Sequence, residues 1–471
     1  MTQMIIKNYD QLISEELPQS NKILREIVLN GLEKAINSIK PDKLIEKAVK
    51  FHNNHLIING DLFNLKDYNK VYIIGGGKAT AEMALSLEKK FLVNFGIDYE
   101  GIVNVPSNLE LTEKDIPKRI KLNFASHPTP DYNGLNGTKA MISMIEKASK
   151  KDLIICLISG GGSALLALPK KGISLKDLQE INRLLLASGA SINEINTIRK
   201  HISDFKGGNL VKKVYEYCNA TLICLIISDV VGNKLDTIAS GPTVADSTTY
   251  QDAYDILTKY KLNEKVPYSI KETIEKGLDG IIPENPKQGD AYFRKVHNYL
   301  IGSVEVAVQK ISKHLNKLGF ICEYFSNQID GEARDYAKKL YEIISNEVIT
   351  LSKKKALIGT GELTVTLKGN GIGGRNQEML LNYLDIIRNK DIFYNFVLIA
   401  VNFDGLEGNS KAMGALIDNH LINQINSRTI DLKQFIKNND SNSFFKKFNS
   451  EIITGATGSN VNDLILVILS Q

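Results

Sequence analysis

Residues 153–166, Leu-Ile-Ile-Cys-Leu-Ile-Ser-Gly-Gly-Gly-Ser-Ala-Leu-Leu, constrain the fold more than any other stretch of the chain. Six apolar residues in a row are too few for a globular helix and rich in β-branched side chains, which predicts a strand buried on both faces. The strand ends at Ser159, passes through Gly160, Gly161 and Gly162, and restarts as a helix at Ser163. A strand that feeds a helix through small residues leaves backbone N–H groups uncapped. Those donors and the helix dipole favour an anion, most often a phosphate. Three glycines let a ligand approach the backbone with no Cβ in the way. A tight turn without a ligand fits the same residues; the position at the carboxyl end of an apolar strand favours a phosphate or carboxylate site.

The pattern recurs upstream. Residues 71–74 predict a buried strand that ends in Gly75-Gly76-Gly77-Lys78, with a helix over 79–91. An ammonium beside a glycine turn suits a polyphosphate. The glycine-to-lysine spacing is too short for a Walker A loop, and Thr80 stands where a dinucleotide fingerprint needs its third glycine. A structural turn with a solvated lysine remains the alternative. Residues 101–105 and 121–125 read as further strands, the second leading into Ser126-His127-Pro128, where His127 either meets a ligand or braces the loop. Helices are predicted over 174–187, 191–205 and 210–217. The middle one carries Arg199-Lys200-His201 and is followed by Lys206-Gly207-Gly208, an anion site or a solvated basic face. Residues 222–227 form another buried strand ending in Ser228-Asp229, and a carboxylate at a carboxyl strand end suits a metal ligand or a base.

Before the first of these strands, residues 20–49 predict two helices separated by Pro41, and His52 and His55 follow in an HxxH spacing with no cysteine or carboxylate set to complete a metal site. A non-periodic, turn-rich stretch at 278–289 predicts a domain boundary. A second βα series follows: strands at 296–302, 321–325 and 356–362, then an alternating strand at 363–367. The loop 368–374 comes next, with Asn370, Gly373 and Gly374 ahead of Arg375 at a helix start. Open backbone beside a planar charged fork suits phosphate or carboxylate. A strand at 395–401 ends at Phe403-Asp404-Gly405, and a helix is predicted over 411–425. Residues 431–450 read as a polar surface excursion, and Asn460, Asn462 and Asp463 precede a last strand at 464–469.

The fold class is therefore α/β, with two Rossmann-like lobes. The larger N-terminal lobe covers 1–285 and the smaller C-terminal lobe 296–471, the tail after 450 being free to pack back on the first lobe, and the active site is expected in the cleft between them. Length, 43% hydrophobic residues and 24% charged residues fit a soluble protein with two or three cores. A net charge of +5 without a basic run beyond Lys353-Lys354-Lys355 speaks against nucleic-acid or membrane-surface binding. Cys156, Cys218, Cys224 and Cys322 form no CxxC pair and read as reduced thiols. With no apolar stretch of membrane-span length, the cytoplasm is the expected compartment. Glycine turns, one lysine, one arginine and acidic residues match phosphoryl transfer, which asks for alignment and charge neutralisation.

Residues 71–83 (VYIIGGGKATAEM), 126–134 (SHPTPDYNG), 157–166 (LISGGGSALL), 186–210 (LASGASINEINTIRKHISDFKGGNL), 227–243 (ISDVVGNKLDTIASGPT), 369–378 (GNGIGGRNQE) and 454–463 (TGATGSNVND) resemble, in this order, the motif series of glycerate 2-kinases with a MOFRL domain. The resemblance implies transfer of the γ-phosphoryl group of ATP to the 2-hydroxyl of D-glycerate, with Mg2+, giving 2-phosphoglycerate and ADP. Lys78, Asp229 and Arg375 match the family's lysine, Ser-Asp-Val aspartate and arginine and are the expected catalytic set, Asp229 as base or magnesium ligand. ATP contacts are expected from Gly75, Gly76, Gly77, Ser159, Gly160, Gly161, Gly162, Ser163, Asn370, Gly373, Gly374, Asp404, Asn460 and Asn462. The chain departs from the family's usual Gly-Thr-Asp-Gly-x-Asp-Gly at Asn402, Phe403 and Glu407. It also departs at Lys411, where an aspartate is usual, and at Thr360 and Leu363. A non-catalytic sugar-phosphate sensor is the alternative reading. A hydroxypyruvate reductase is disfavoured by the poor dinucleotide fingerprint. No macromolecular partner is implied, and monomer or homodimer is left open.

Overall fold

Strand–turn–helix alternation organises residues 41–301, as the apolar runs predict. The structure, a computed structural model, describes residues 4–94, 96–349, 354–428, 430–459 and 461–471. It divides into two units, Pro41–Ile301 and the combination of Met1–Lys40 with Gly302–Gln471.

The first unit opens with a small antiparallel sheet, β1 (Val49–His52), β2 (His55–Ile58) and β3 (Asp61–Asn64). His52 and His55 are cross-strand partners at its first turn, where the His55 ring sits 2.9 Å from the Asn53 carbonyl, so the HxxH spacing marks a hairpin. The main sheet contains β4 (Lys70–Gly76), β5 (Asp98–Pro106), β6 (Ile120–Ala125), β7 (Leu153–Ile158), β8 (Thr221–Ile227) and β9 (Val296–Gly302), in the order β6-β5-β4-β7-β8-β9. Strands β4 to β8 are parallel. Strand β7 is buried at every residue. Its Ile154, Cys156 and Ile158 pack with Ile145, Phe205 and Val211 from helices and loops on one face. Because β5 and β6 lie to one side of β4 and β7 and β8 to the other, the order reverses between β4 and β7, the topological switch point where open α/β sheets bind ligands.

Strand β9, expected to open the second lobe, instead completes this sheet. The boundary therefore falls after Ile301 and not at 278–289. That irregular stretch is an internal loop: Asn285 exchanges 2.9 Å hydrogen bonds with the side chains of Asn209 and Asp246 inside the first unit.

The second unit holds β10 (Ile321–Ile329), β11 (Lys355–Gly361), β12 (Asn395–Asn402), β13 (Gly414–Asp418), β14 (Glu451–Ile452) and β15 (Asp463–Ser470), ordered β10-β11-β15-β12-β13-β14. Strand β15 runs antiparallel between β11 and β12. Within the tail after 450, β15 thus lies inside this sheet and β14 at its edge, both in the second unit. The segment that crosses between sequence halves is the N-terminal one. Helix Gln19–Ser38 packs on β12 and on helix Val304–Asn316, and Arg25 forms a buried two-pronged ion pair with Asp418 at 2.8 and 3.0 Å.

Three local expectations are corrected. Residues 363–367 form no strand, only a single bridge from Thr364 to Glu332. The helix expected over 411–425 is strand β13 followed by helix Asn419–Ser427, because the Asp418 side chain accepts the Leu421 N–H and starts the helix there. Residues 431–450 are no surface excursion. Two short helices, Leu432–Lys437 and Ser441–Lys447, carry Phe444 and Phe445 fully into the core. Among the described residues no helix is long and apolar enough to cross a membrane.

Candidate active site

Register aligns the three turns at the switch point. Gly76 pairs with Ile158, and Ile158 with Ile226, so the segments after β4, β7 and β8 leave the sheet at one level. Lys78, the Ser159–Ser163 turn and Asp229 therefore follow neighbouring strands at one carboxyl edge of the sheet.

The two glycine turns are not equivalent. Gly75 and Gly76 belong to the ladder of β4, not to a nest. The Gly77 N–H donates to Asn104 O (3.1 Å), the Lys78 N–H to Gly160 O (2.8 Å) and the Ala79 N–H to Ser159 Oγ (3.0 Å). The anion cradle expected at 75–77 is thus filled by the chain itself, and fully buried Ser159 caps the neighbouring helix Thr80–Lys90. In the second turn Gly162 donates to Ser159 O, but the N–H groups of Gly161 and Ser163 find no acceptor among the described residues. Buried or half-buried N–H groups rarely stay unpaired, so this turn is the one that presents donors to a ligand.

Gly161 and Ser163 line a cavity of about 700 Å³, bounded by the His127–Pro130 loop, one face of helix Leu175–Ala187 and Arg199. Gly161 has φ +82°, and a Cβ there would lie 3.0 Å from the His127 ring and 3.3 Å from Lys78 Cγ, so only glycine lets these side chains close over the turn. Burial, with Lys78 nearby, holds His127 below its ordinary pKa; the ring is a neutral wall of the cavity at physiological pH.

The second unit has its own cavity, of about 1020 Å³, lined by Asn370, Gly373, Gly374, Arg375, Glu362 and Glu407 among others. The glycine loop around it is closed by internal bonds. Asn370 N–H donates to Asn438 Oδ1 (3.2 Å), Gly371 N–H to Asn438 O (2.9 Å) and Gly373 N–H to Asn409 Oδ1 (2.8 Å). A Cβ on Gly374 would lie 2.2 Å from Glu407 Cγ, so this glycine serves packing and not an open phosphate cradle. The start of helix Arg375–Ile387 is occupied by the Glu407 carboxylate, which accepts the N–H groups of Asn376 and Gln377. Arg375 is equally engaged, with Nε and Nη2 on the two oxygens of Asp463 (2.5 and 2.9 Å) and Nη1 on Glu362 (2.5 Å). Burial works against its charge, yet the Asp463 and Glu362 partners more than offset it and keep it protonated. Burial also raises Asp463 to about 6 in spite of Arg375, and raises Glu407 to about 8.

Of the remaining expected contacts, Asp404 lies in the tight turn after β12, its N–H held by Asn402 Oδ1 at 2.8 Å. Asn462 is buried at φ +78°, its carbonyl accepting from Phe403 N–H. Asn460 lies outside the described residues. The basic cluster is neither a single anion site nor a solvated face. Lys206 is buried with Nζ on Leu166 O (2.8 Å), burial and then Arg199 bringing it down to about 7. Lys200 is buried between Asp236 and Asp246. Arg199 alone of the cluster lines the cavity beside the Gly161 turn. Its partner helix Leu175–Ala187 carried no functional signal, because a polar helix face reads as solvated until another element covers it.

Fold and site together define an α/β protein whose glycine turn at the switch point of a parallel sheet leaves N–H groups without an acceptor among the described residues. Residues 27–275 match a domain of unknown function, DUF4147, and residues 355–463 match the MOFRL family. The glycerate 2-kinase of Pyrococcus horikoshii is 38% identical, over 95% of this chain and 98% of its own. The D-glycerate 2-kinase of Thermotoga maritima is 33% identical, over 94% and 98%. The chain belongs to the glycerate kinase family that combines these two domains. Solved structures agree: glycerate kinase of Thermotoga maritima has a TM-score of 0.80 at 31% identity, covering 95% of this chain and 100% of that one, and a Pyrococcus horikoshii protein 0.79 at 37%, covering 94% and 98%.

Proposed function

We propose that the protein transfers the γ-phosphoryl group of ATP to the 2-hydroxyl of D-glycerate, forming 2-phosphoglycerate and ADP. The observation that carries this reading is the meeting, at one sheet edge, of the unpaired Gly161 and Ser163 N–H groups with Lys78 and the Asp229 loop, beside a cavity large enough for a small acid. The relatives' identities as a glycerate 2-kinase and a D-glycerate 2-kinase support the acceptor and the position phosphorylated.

In the transfer a bond forms from the acceptor oxygen to the γ-phosphorus while the bridging oxygen leaves with ADP, and the hydroxyl proton passes to a base. The N–H pair and the Lys78 ammonium offset charge on the phosphoryl oxygens. Asp229, on the loop that follows β8 at that edge, would take the proton or bind the metal. Among the described residues no three His, Cys, Asp or Glu side chains form a metal cage. Mg2+ does not need one, since it is commonly held by one or two carboxylates plus substrate phosphates, and Asp229 fits that role. Magnesium would supply charge neutralisation on the phosphates. Arg375 has three of its five N–H groups on Asp463 and Glu362, and those carboxylates fix the plane of its guanidinium within the second unit.

A coupled ADP-release assay run in parallel with D-glycerate, L-glycerate and hydroxypyruvate tests the reading, with phosphorus NMR of the product. Phosphate on the secondary carbon is the expected result. A clean 3-phosphoglycerate product, or NADH oxidation with hydroxypyruvate at a comparable rate, would overturn it.

A further inference from the structure

We propose that Arg199 binds the carboxylate of the acceptor, with the Ser163 hydroxyl accepting a hydrogen bond from one of its hydroxyls, in the cavity beside the Gly161 turn. The inference rests on the kinase reading above and assigns its acceptor subsite.

Arg199 stands in the last turn of helix Ile192–His201 and faces helix Leu175–Ala187. Its Nε donates to Asn182 Oδ1 at 2.7 Å, which fixes the plane of the guanidinium. No carboxylate lies within ion-pair distance of it among the described residues, whereas its neighbours are paired. Lys200 sits between Asp236 and Asp246, and Arg183 forms a two-pronged pair with Glu180 at 2.9 and 2.6 Å. A half-buried guanidinium without a counter-charge is costly, and burial indeed works against its protonation. A bound anion relieves that cost, and the planar fork suits a carboxylate.

The cavity's own charge selects the anion. Lys176, Arg183 and Arg199 stand against Asp177 and Glu180, with His127 neutral, which leaves one net positive charge. One charge matches the monoanion of a small hydroxy acid; a nucleotide polyphosphate would be under-compensated there.

A hydroxyl relay gives the cavity its polarity. Ser240 donates to Asn196 Oδ1 at 3.0 Å, and Ser163 Oγ lies 2.8 Å from Ser240 Oγ. Since the Ser240 proton is committed to Asn196, Ser163 donates to Ser240 and keeps only lone pairs for the cavity. Ser240 is held at φ +60°, a strained conformation for a non-glycine residue that the surroundings maintain. Asn196 lies one helical turn from Arg199, so one helix sets both the carboxylate fork and the hydroxyl acceptor. An acid bearing a carboxylate next to a hydroxyl fits this pair of groups.

The test is calorimetric titration of D-glycerate into wild-type protein, Arg199→Ala and Arg199→Lys without nucleotide, alongside steady-state kinetics and melting curves. Arg199→Ala should lose about 10–10²-fold in glycerate affinity and raise KM for glycerate by a similar factor. Its KM for ATP should stay within about threefold, and added guanidinium ion should restore part of the loss. Arg199→Lys, which keeps the charge but not the fork, should fall between. Unchanged glycerate affinity in a folded Arg199→Ala overturns the assignment, as does a rise in KM confined to ATP. Wild-type protein that neither binds glycerate nor releases ADP overturns the kinase reading and this subsite together. Arg199-dependent glycerate binding without ADP release supports the subsite and overturns only the kinase reading.

Discussion

Gln377 Nε2 donates to Glu407 Oε2 at 2.9 Å while the Gln377 backbone N–H reaches Oε1 at 3.2 Å, so an internal carboxylate fills the start of the helix that Arg375 begins. Burial, with Asp463 nearby, raises Glu407 from the ordinary 4.5 to about 8. Between these values the folded protein holds a proton that the unfolded chain has released, so stability falls as pH rises. The contribution is complete below pH 4.5 and lost through about pH 8. Wild-type melting temperature should therefore drop by several degrees from pH 5 to pH 8.5 relative to Glu407→Gln, which has no such titration. Parallel melting curves for the two proteins check this. Glu407→Ala, which leaves buried N–H groups unpaired, should cost about 1–3 kcal/mol at any pH.

Lys78 sits half-exposed at the turn after β4, with its Cγ beside Gly161. Loss of one charge-stabilising donor typically costs 10²–10³-fold in rate. Lys78→Ala should lose turnover on that scale and remain folded, because the backbone bonds of residues 77–79 do not involve its ammonium. Wild-type kcat in this variant would show that the lysine is merely a solvated neighbour of the site.

Asp229 follows β8 at the same level as the Ser159–Ser163 turn. Asparagine preserves its size and much of its hydrogen bonding but is a poor base and a weaker magnesium ligand. Asp229→Asn should keep the wild-type melting temperature and lose about 10²–10⁴-fold in kcat. Partial recovery at raised magnesium assigns the ligand role, and its absence the base role. Normal turnover would move the test to Asp463.

Arg25 and Asp418 are 4% and 0% exposed, and Asn21 Nδ2 and the Leu421 N–H complete the bonds of that carboxylate. Breaking such a pair strands a buried charge at a cost of about 3–5 kcal/mol. Arg25→Ala should destabilise the second unit by that amount in denaturant titration. A double variant, Arg25→Met with Asp418→Leu, should recover a large part of it.

Much of the first unit was readable from the chain because its strands are short unbroken apolar runs, closed by glycine turns in β4 and β7 and by Ser228-Asp229 in β8. A parallel strand buried on both faces needs exactly that composition, so local sequence and sheet position agree. The second unit was less readable for the same reason in reverse. Gly414–Asp418 is as apolar as a helix face, and Phe444 and Phe445 sit in a polar stretch, so periodicity alone assigned strand β13 to a helix and a core segment to the surface. At the candidate site, residue types pointed to the Ser159–Ser163 turn and did not tell which of its N–H groups find no acceptor among the described residues.

By itself the sequence determined the α/β alternation, the glycine turns at strand ends and the ordered motifs of the glycerate kinase family, all of which are local patterns. Only the tertiary structure decided that Ser159 caps the helix after Lys78, that Glu407 fills the helix start beside Arg375, and that Arg199 faces a cavity with no carboxylate within ion-pair distance of it among the described residues. It also decided that β15 enters the centre of the second sheet and that helix Gln19–Ser38 belongs with it. The physical reason is the same in each case. Hydrogen bonds and ion pairs are claimed by whichever partner folding brings near, and those partners, 31 residues apart for Asn376 and Glu407 and 393 for Arg25 and Asp418, leave no mark on local periodicity.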